Sequence, residues 1–200
     1  MEYANQRNHT RHVIKISFIN LLQFTRFENV SIGLIAKEAG ISRSSFYRYY
    51  FDKYELVYEI EDNLLKSIDE FKKSRQGFTY KNIDTIDENY IEELLIFLQK
   101  YRKELNGLLN NANNISLESK LKDMLTRKLS EVTKLSISSI KIDTKKRQEY
   151  KLMVDYMSNM IIQTFKFWSS PDCNITAAEL SNLLNHIKLH GFSDIRKLLK

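Results

Sequence analysis

The sequence predicts an all-α protein: an N-terminal three-helix unit followed by a larger helical one, about nine helices in all. Three observations carry this. Only five Gly and one Pro occur in 200 residues, too few turn-formers for a chain of many short strands. Apolar residues recur at steps of three and four along most of the chain, and 42% apolar content is enough to bury a core. Residues 31–53, SIGLIAKEAGISRSSFYRYYFDK, read as two short helices joined by a tight turn.

The first helix is expected from about Thr10 to Thr25, with Ile14, Phe18, Leu21 and Leu22 as its inward stripe. Ser31 then caps a second helix whose Ile32, Ile35, Ala36 and Ala39 lie on one face. Gly40 stands where that helix must stop, because glycine enters a left-handed cap without steric cost. Ile41 turns into the core, Ser42 caps a third helix, and Phe46 returns to the buried side. Small Ala36, Gly40 at the turn and large Phe46 suit two helices that cross steeply and touch. Arg43, Ser44, Ser45, Tyr47, Arg48 and Tyr49 are left facing outward. Their guanidinium, hydroxyl and phenol groups can donate to base edges and phosphate oxygens. The plainer alternative is a polar, basic surface helix.

Asp52 and Glu55 have capping-box spacing at the start of a long fourth helix with Val57, Ile60, Leu64, Ile68 and Phe71 inward. Lys53 sits in its first turn, where a cation opposes the helix dipole unless a phosphate is bound nearby. Residues 73–82, with Gly77, read as a loop, and Asp84 or Asp87 can cap a fifth helix carrying Ile91, Leu94, Leu95 and Leu98. Leu105, Leu108 and Leu109 mark a short sixth helix ended by the asparagines of 110–114; Leu117, Leu121, Leu125, Val132 and Leu135 mark a seventh. The eighth, 144–169, is apolar over most of its circumference, so it is either an interface with a second copy or the central helix of a monomer. Pro171 stops it. Thr176 and Glu179 box the ninth, with Leu180, Leu183, Leu184 and Ile187 inward and Gly191 at its end.

The run IAKEAGISRSSFYRYYFDKYEL resembles the DNA-binding signature of the tetracycline-repressor (TetR) family, and Thr10, Arg11, Ile14, Phe18 and Leu21 are similar to that family's first helix. The resemblance covers about the first quarter of the chain. Tyr50 replaces the usual Phe, and Ser31 the usual Thr. It implies a helix-turn-helix DNA-binding domain, 1–51, and a C-terminal regulatory and dimerisation domain, 52–200. It also implies a homodimer through the eighth and ninth helices that sits on a palindromic operator in double-stranded DNA. A small-molecule effector would bind between the fourth and eighth helices and release it. Ser31, Ser42, Arg43, Ser44, Ser45, Tyr47, Arg48, Tyr49 and Lys53 are the expected DNA contacts. Arg43, Ser44 and Tyr47 would approach bases, and Ser31, Ser42, Tyr49 and Lys53 would hold phosphates. Tyr90, Phe97, Tyr101, Met124, Tyr156, Met160, Gln163 and Phe167 could wall an effector pocket or simply be core.

Charge placement fits. Of the net +6, residues 1–53 supply +4, from eight Lys or Arg against four acids. No apolar run approaches the roughly 20 residues that span a bilayer, and residues 1–10 are polar with no signal-peptide core, so a cytoplasmic protein is expected. Cys173 is the sole cysteine and reads as a free loop thiol. The pairs His186 and His190, and His9 and His12, lack an obvious third ligand and read as surface histidines, so no metal or cofactor is expected. No phosphate-cradling glycine loop, nucleophile elbow or paired catalytic acids point to an enzyme. Glu59, Glu61, Asp62, Glu92 and Glu93 read as solvated helix faces. The other classes left open are an architectural DNA-associated protein and a coactivator of the same fold that answers to a protein partner.

Overall fold

The computed structural model describes residues 2–75, 88–111, 116–132 and 144–190, and all regular structure among them is helical. The loop around Gly77, the capping residues Asp84 and Asp87, Leu135 and the stop at Gly191 lie outside the described residues. Helix α1 (Glu2–Leu22) starts earlier than its apolar stripe requires, and the polar residues Gln6, Arg7, Asn8 and His9 ahead of that stripe are exposed. Ile14, Phe18 and Leu22 are fully buried. A 3-10 turn (Phe27–Asn29) connects it to α2 (Ile32–Glu38), and α3 (Arg43–Tyr47) follows after Gly40.

Helix α4 (Lys53–Ser74) links this unit to the rest. Asp52 Oδ1 accepts from the N–H groups of Tyr54 and Glu55, each at 2.8 Å, while Glu55 reaches back to the N–H of Phe51 at 2.6 Å. Leu56, Val57, Ile60, Leu64 and Ile68 bury its inner face. Helices α5 (Glu88–Gln99) and α6 (Arg102–Asn110) make a tight corner at Tyr101. Helix α7 (Leu117–Val132) and α6 both pack on α8 (Thr144–Ser169), and α9 (Ala177–His190) packs on α5. The Thr176 and Glu179 box forms reciprocally, at 2.8 and 3.2 Å.

The free loop thiol expected at Cys173 stands, and it is buried within the α8–α9 connection, where Arg102 ties down the carbonyls of Trp168, Ser170 and Cys173. One expectation needs correcting. Glu61 is not on a solvated face. It is 1% exposed and accepts from Lys120 Nζ at 2.5 Å and Ser116 Oγ at 2.6 Å, so it pins α4 to the start of α7. Glu59 is likewise paired, with Arg11 and Lys15 of α1.

Candidate nucleic-acid interface

The α2–α3 corner is set by its caps. Ser31 Oγ accepts from Leu34 N–H at 3.2 Å, which starts α2. At the other end Gly40 takes φ +65°, and the N–H groups of Gly40 and Ile41 reach the carbonyls of Lys37 and Ala36 at 3.2 and 2.9 Å. This paired bond pattern closes a helix end and needs the left-handed residue that glycine supplies. Buried Ala36 and Phe46 let the two helices touch, and α3 is thereby fixed to α2 with its other side open.

On that open side Arg43, Ser44, Tyr47 and Arg48 are exposed, and Ser45 is half-buried. Ser42 Oγ accepts from Ser45 N–H at 3.0 Å and gives its own proton to Ser45 Oγ, also at 3.0 Å. Ser44 Oγ, 2.8 Å from Ser42 Oγ, must therefore be the donor of that pair. Arg48 Nη2 donates to Ser45 Oγ at 2.7 Å. Arg43 lies back over α2 at Gly33, where a Cβ would stand 2.3 Å from its Nη2. Gly33 weakens α2 as a helix but clears the space in which this guanidinium rests. Tyr47 is 57% exposed, its ring edge-on to Phe46.

Three expected contacts stand differently. Helix α3 is only five residues long, so Arg48 and Tyr49 fall beyond it, and Tyr49 is half-buried against the core. Lys53 turns inward: Nζ donates to the carbonyls of Phe27, Val30 and Glu28 at 2.8, 2.9 and 3.3 Å and sits 4.3 Å over the Phe27 ring. Burial pulls its ammonium below the usual lysine range. All three of its protons are engaged in the free chain, where Lys53 holds the 3-10 turn and α2's approach in place. Sequence spacing gave no sign of this, because its partners are main-chain atoms 23 to 26 residues earlier. Tyr50 keeps the packing of the Phe it replaces, being 1% exposed, but burial pushes its phenol up to about 12 in spite of the neighbouring Arg11.

The expected effector walls do not gather into one place. Tyr90 and Phe97 pack on Phe71 of α4, with Phe97 stacked at 4.5 Å, whereas Tyr156 and Phe167 are 61% and 62% exposed on α8. Tyr101, its ring 5.5 Å from that of Phe97, also borders a groove of about 980 Å³ between α1, α4 and the α5–α6 corner. Among the described residues no group of His, Cys, Asp or Glu is arranged to hold a metal, and no helix is long and apolar enough to cross a membrane.

A small three-helix unit that ends in a capped, steep two-helix corner with a donor-rich outer face has the form of a helix-turn-helix unit. Residues 26–60 match the sequence profile described as bacterial regulatory proteins, tetR family. No curated protein matches the chain. In fold it is similar to a TetR transcriptional regulator from Streptococcus agalactiae 2603V, at 20% identity and TM-score 0.63 over 94% of this chain and 97% of that one. It is also similar to NalD, the secondary repressor of the MexAB-OprM multidrug efflux pump in Pseudomonas aeruginosa, at 14% identity and TM-score 0.61 over 92% and 97%. A third likeness is to the dihydroxyacetone kinase operon activator DhaS, at 16% identity and TM-score 0.52 over 90% and 94%.

Proposed function

We propose that the chain is a homodimeric cytoplasmic repressor that covers a near-palindromic operator and lets go when a small molecule binds its C-terminal part, 52–200. The observation that carries the reading is the open face of α3 in the 1–51 unit, where Arg43, Ser44 and Tyr47 are exposed on a corner held by Gly40 and Phe46, with the Arg43 guanidinium resting over Gly33. Arg43 and Tyr47 approach base edges. Ser31, Ser42 and Ser45, with Arg48, line the phosphate side; Tyr49 and Lys53 support them from within.

One such head touches few base pairs, and two heads a helical turn apart give useful specificity. The pairing surface is α8 with α9. Leu152, Tyr156 and Phe167 follow one face of α8 and are 61% to 72% exposed in the single chain, with Met153 beside them at 44%. Exposed Asn159 and Gln163 separate Tyr156 from Phe167 on this face, and a second copy crossing it on a two-fold axis would cover the apolar groups at both ends.

The test is to sequence genomic fragments bound by the purified protein, then compare the recovered operator with a scrambled duplex and add the operator to a transcription assay. Specific binding with reduced transcription supports the reading. Equal affinity for both duplexes removes it. Arg43→Ala should relax preference by about 1–3 kcal/mol at one base pair while leaving other positions unchanged.

A further inference from the structure

Three side-chain amides run in series from α8 to α1. Asn110 Nδ2 donates to the Lys166 carbonyl on α8 at 2.9 Å and to Asn106 Oδ1 at 3.0 Å. Asn106 Nδ2 donates to Gln23 Oε1 at 2.9 Å. Gln23 Nε2 donates to the carbonyls of Ile19 and Lys103, at 2.9 and 3.0 Å. Both ends of the series are carbonyls, which only accept, so a single orientation of the three amides makes every bond. Asn106, at the centre, is 3% exposed, so water cannot replace a lost partner there.

The backbone reinforces the same contact. Asn111, just past α6, donates from Nδ2 to the Leu22 carbonyl at 2.7 Å and accepts with its own carbonyl from Phe27 N–H at 2.9 Å. It therefore holds the last turn of α1 and the entrance to the 3-10 turn together. Gly107 brings α6 against α1 so closely that a Cβ would stand 2.9 Å from Leu22 Cβ. The head is thus gripped by α6 through α1, by a route that does not pass through α4.

We propose that Asn106 is a positioning residue for the DNA-reading head: by orienting Gln23 it fixes α1, and with it α2 and α3, relative to the end of α8. The inference rests on α3 being the DNA-contacting element, but its decisive measurement uses no DNA. A shift of the last turns of α8 would pull the Lys166 carbonyl from Asn110 and free the series one amide at a time. The head is then set by two supports, α4 and this amide series, and only the second reports on α8 directly.

The experiment places nitroxides at Glu38→Cys on α2 and Ser119→Cys on α7, both exposed positions, in full-length Cys173→Ala protein diluted with unlabelled chains so that only distances within one chain are read. Asn106→Leu and Gln23→Leu should each broaden the distance distribution and weaken operator binding about tenfold. The double variant should add little to either single one. A control, Leu95→Ala, alters a 2% exposed core residue on α5 and should lower the melting temperature while leaving the distribution as in the parent. An unchanged distribution in both amide variants overturns the proposal whatever happens to affinity, and so does equal broadening in the control. If Asn106→Leu does not fold, Gln23→Leu, which alters the half-buried partner just past α1, answers the same question.

Discussion

The Glu61–Lys120 pair should be strongly asymmetric to mutation. Glu61 is 1% exposed, its Oε2 takes both Ser116 and Lys120, and its Oε1 has no hydrogen-bond partner. Lys120 is 29% exposed and lies 4.4 Å over the Tyr58 ring, so its stem can swing the ammonium into water. Removing the lysine strands a buried carboxylate; removing the carboxylate strands nothing. Breaking a buried pair by deleting one partner costs about 3–5 kcal/mol. Ser116 and the N-terminal dipole of α7 remain to help Glu61, so Lys120→Met should cost about 3 kcal/mol. Glu61→Gln keeps a hydrogen-bonding group beside Ser116 and should cost about 1 kcal/mol. The double change Glu61→Leu with Lys120→Met should return to within about 1 kcal/mol of the parent, since a buried ion pair replaced by apolar side chains is often neutral. Urea unfolding followed by circular dichroism measures all three, with the slope m checked for constancy. If Lys120→Met proves no more costly than Glu61→Gln, the reasoning from burial is wrong.

Gly33→Ala should raise stability by up to about 1 kcal/mol, because the added methyl meets only the mobile end of Arg43, yet it should alter operator preference by displacing that guanidinium; unchanged preference in a binding-site selection would refute this. Lys53→Met should weaken specific and scrambled DNA alike while changing the log–log salt slope by less than the roughly 0.9 expected of one phosphate contact, because its ammonium is held by three carbonyls. A full unit of lost slope would put Lys53 on a phosphate after all. For Glu59, burial raises the carboxyl, but hydrogen bonds from Lys15 and Arg11 outweigh it and hold the group below its ordinary value of 4.5. A lowered folded value means stability that is present above about pH 4.5 and is lost as pH falls through the lower folded value, so Glu59→Gln should flatten the acid limb of the unfolding curve between those points.

Local signals in the sequence were enough for the helices and the corner of the head. Thr144 to Ser169 coincides with the expected eighth helix, and Ser31, Gly40, Ser42, Asp52 and Thr176 all cap where short-range spacing put them. These are interactions among residues at most six apart, and a one-dimensional pattern contains them. Long-range polar partners were not legible. Glu61 looks like any other acid on an amphipathic helix until Lys120, 59 residues later, is brought over it. Lys53 likewise reads as a surface cation because carbonyl partners leave no mark on composition. Gln23, Asn106 and Asn110 are ordinary polar residues in sequence, and only the approach of α6 at Gly107 makes them a series.

The hydroxyl circuit at Ser42, Ser44, Ser45 and Arg48 bears on how such a protein could be retargeted. Ser42 and Ser44 already give their hydroxyl protons within this circuit, so a phosphate that arrives at either exchanges one bond for another and gains little net free energy. On the proposed reading, discrimination between operators would fall mainly on Arg43 and Tyr47, which take no part in that circuit. Swapping those two side chains while keeping the serine framework would move the protein to a new address in the genome without rebuilding the scaffold that presents them.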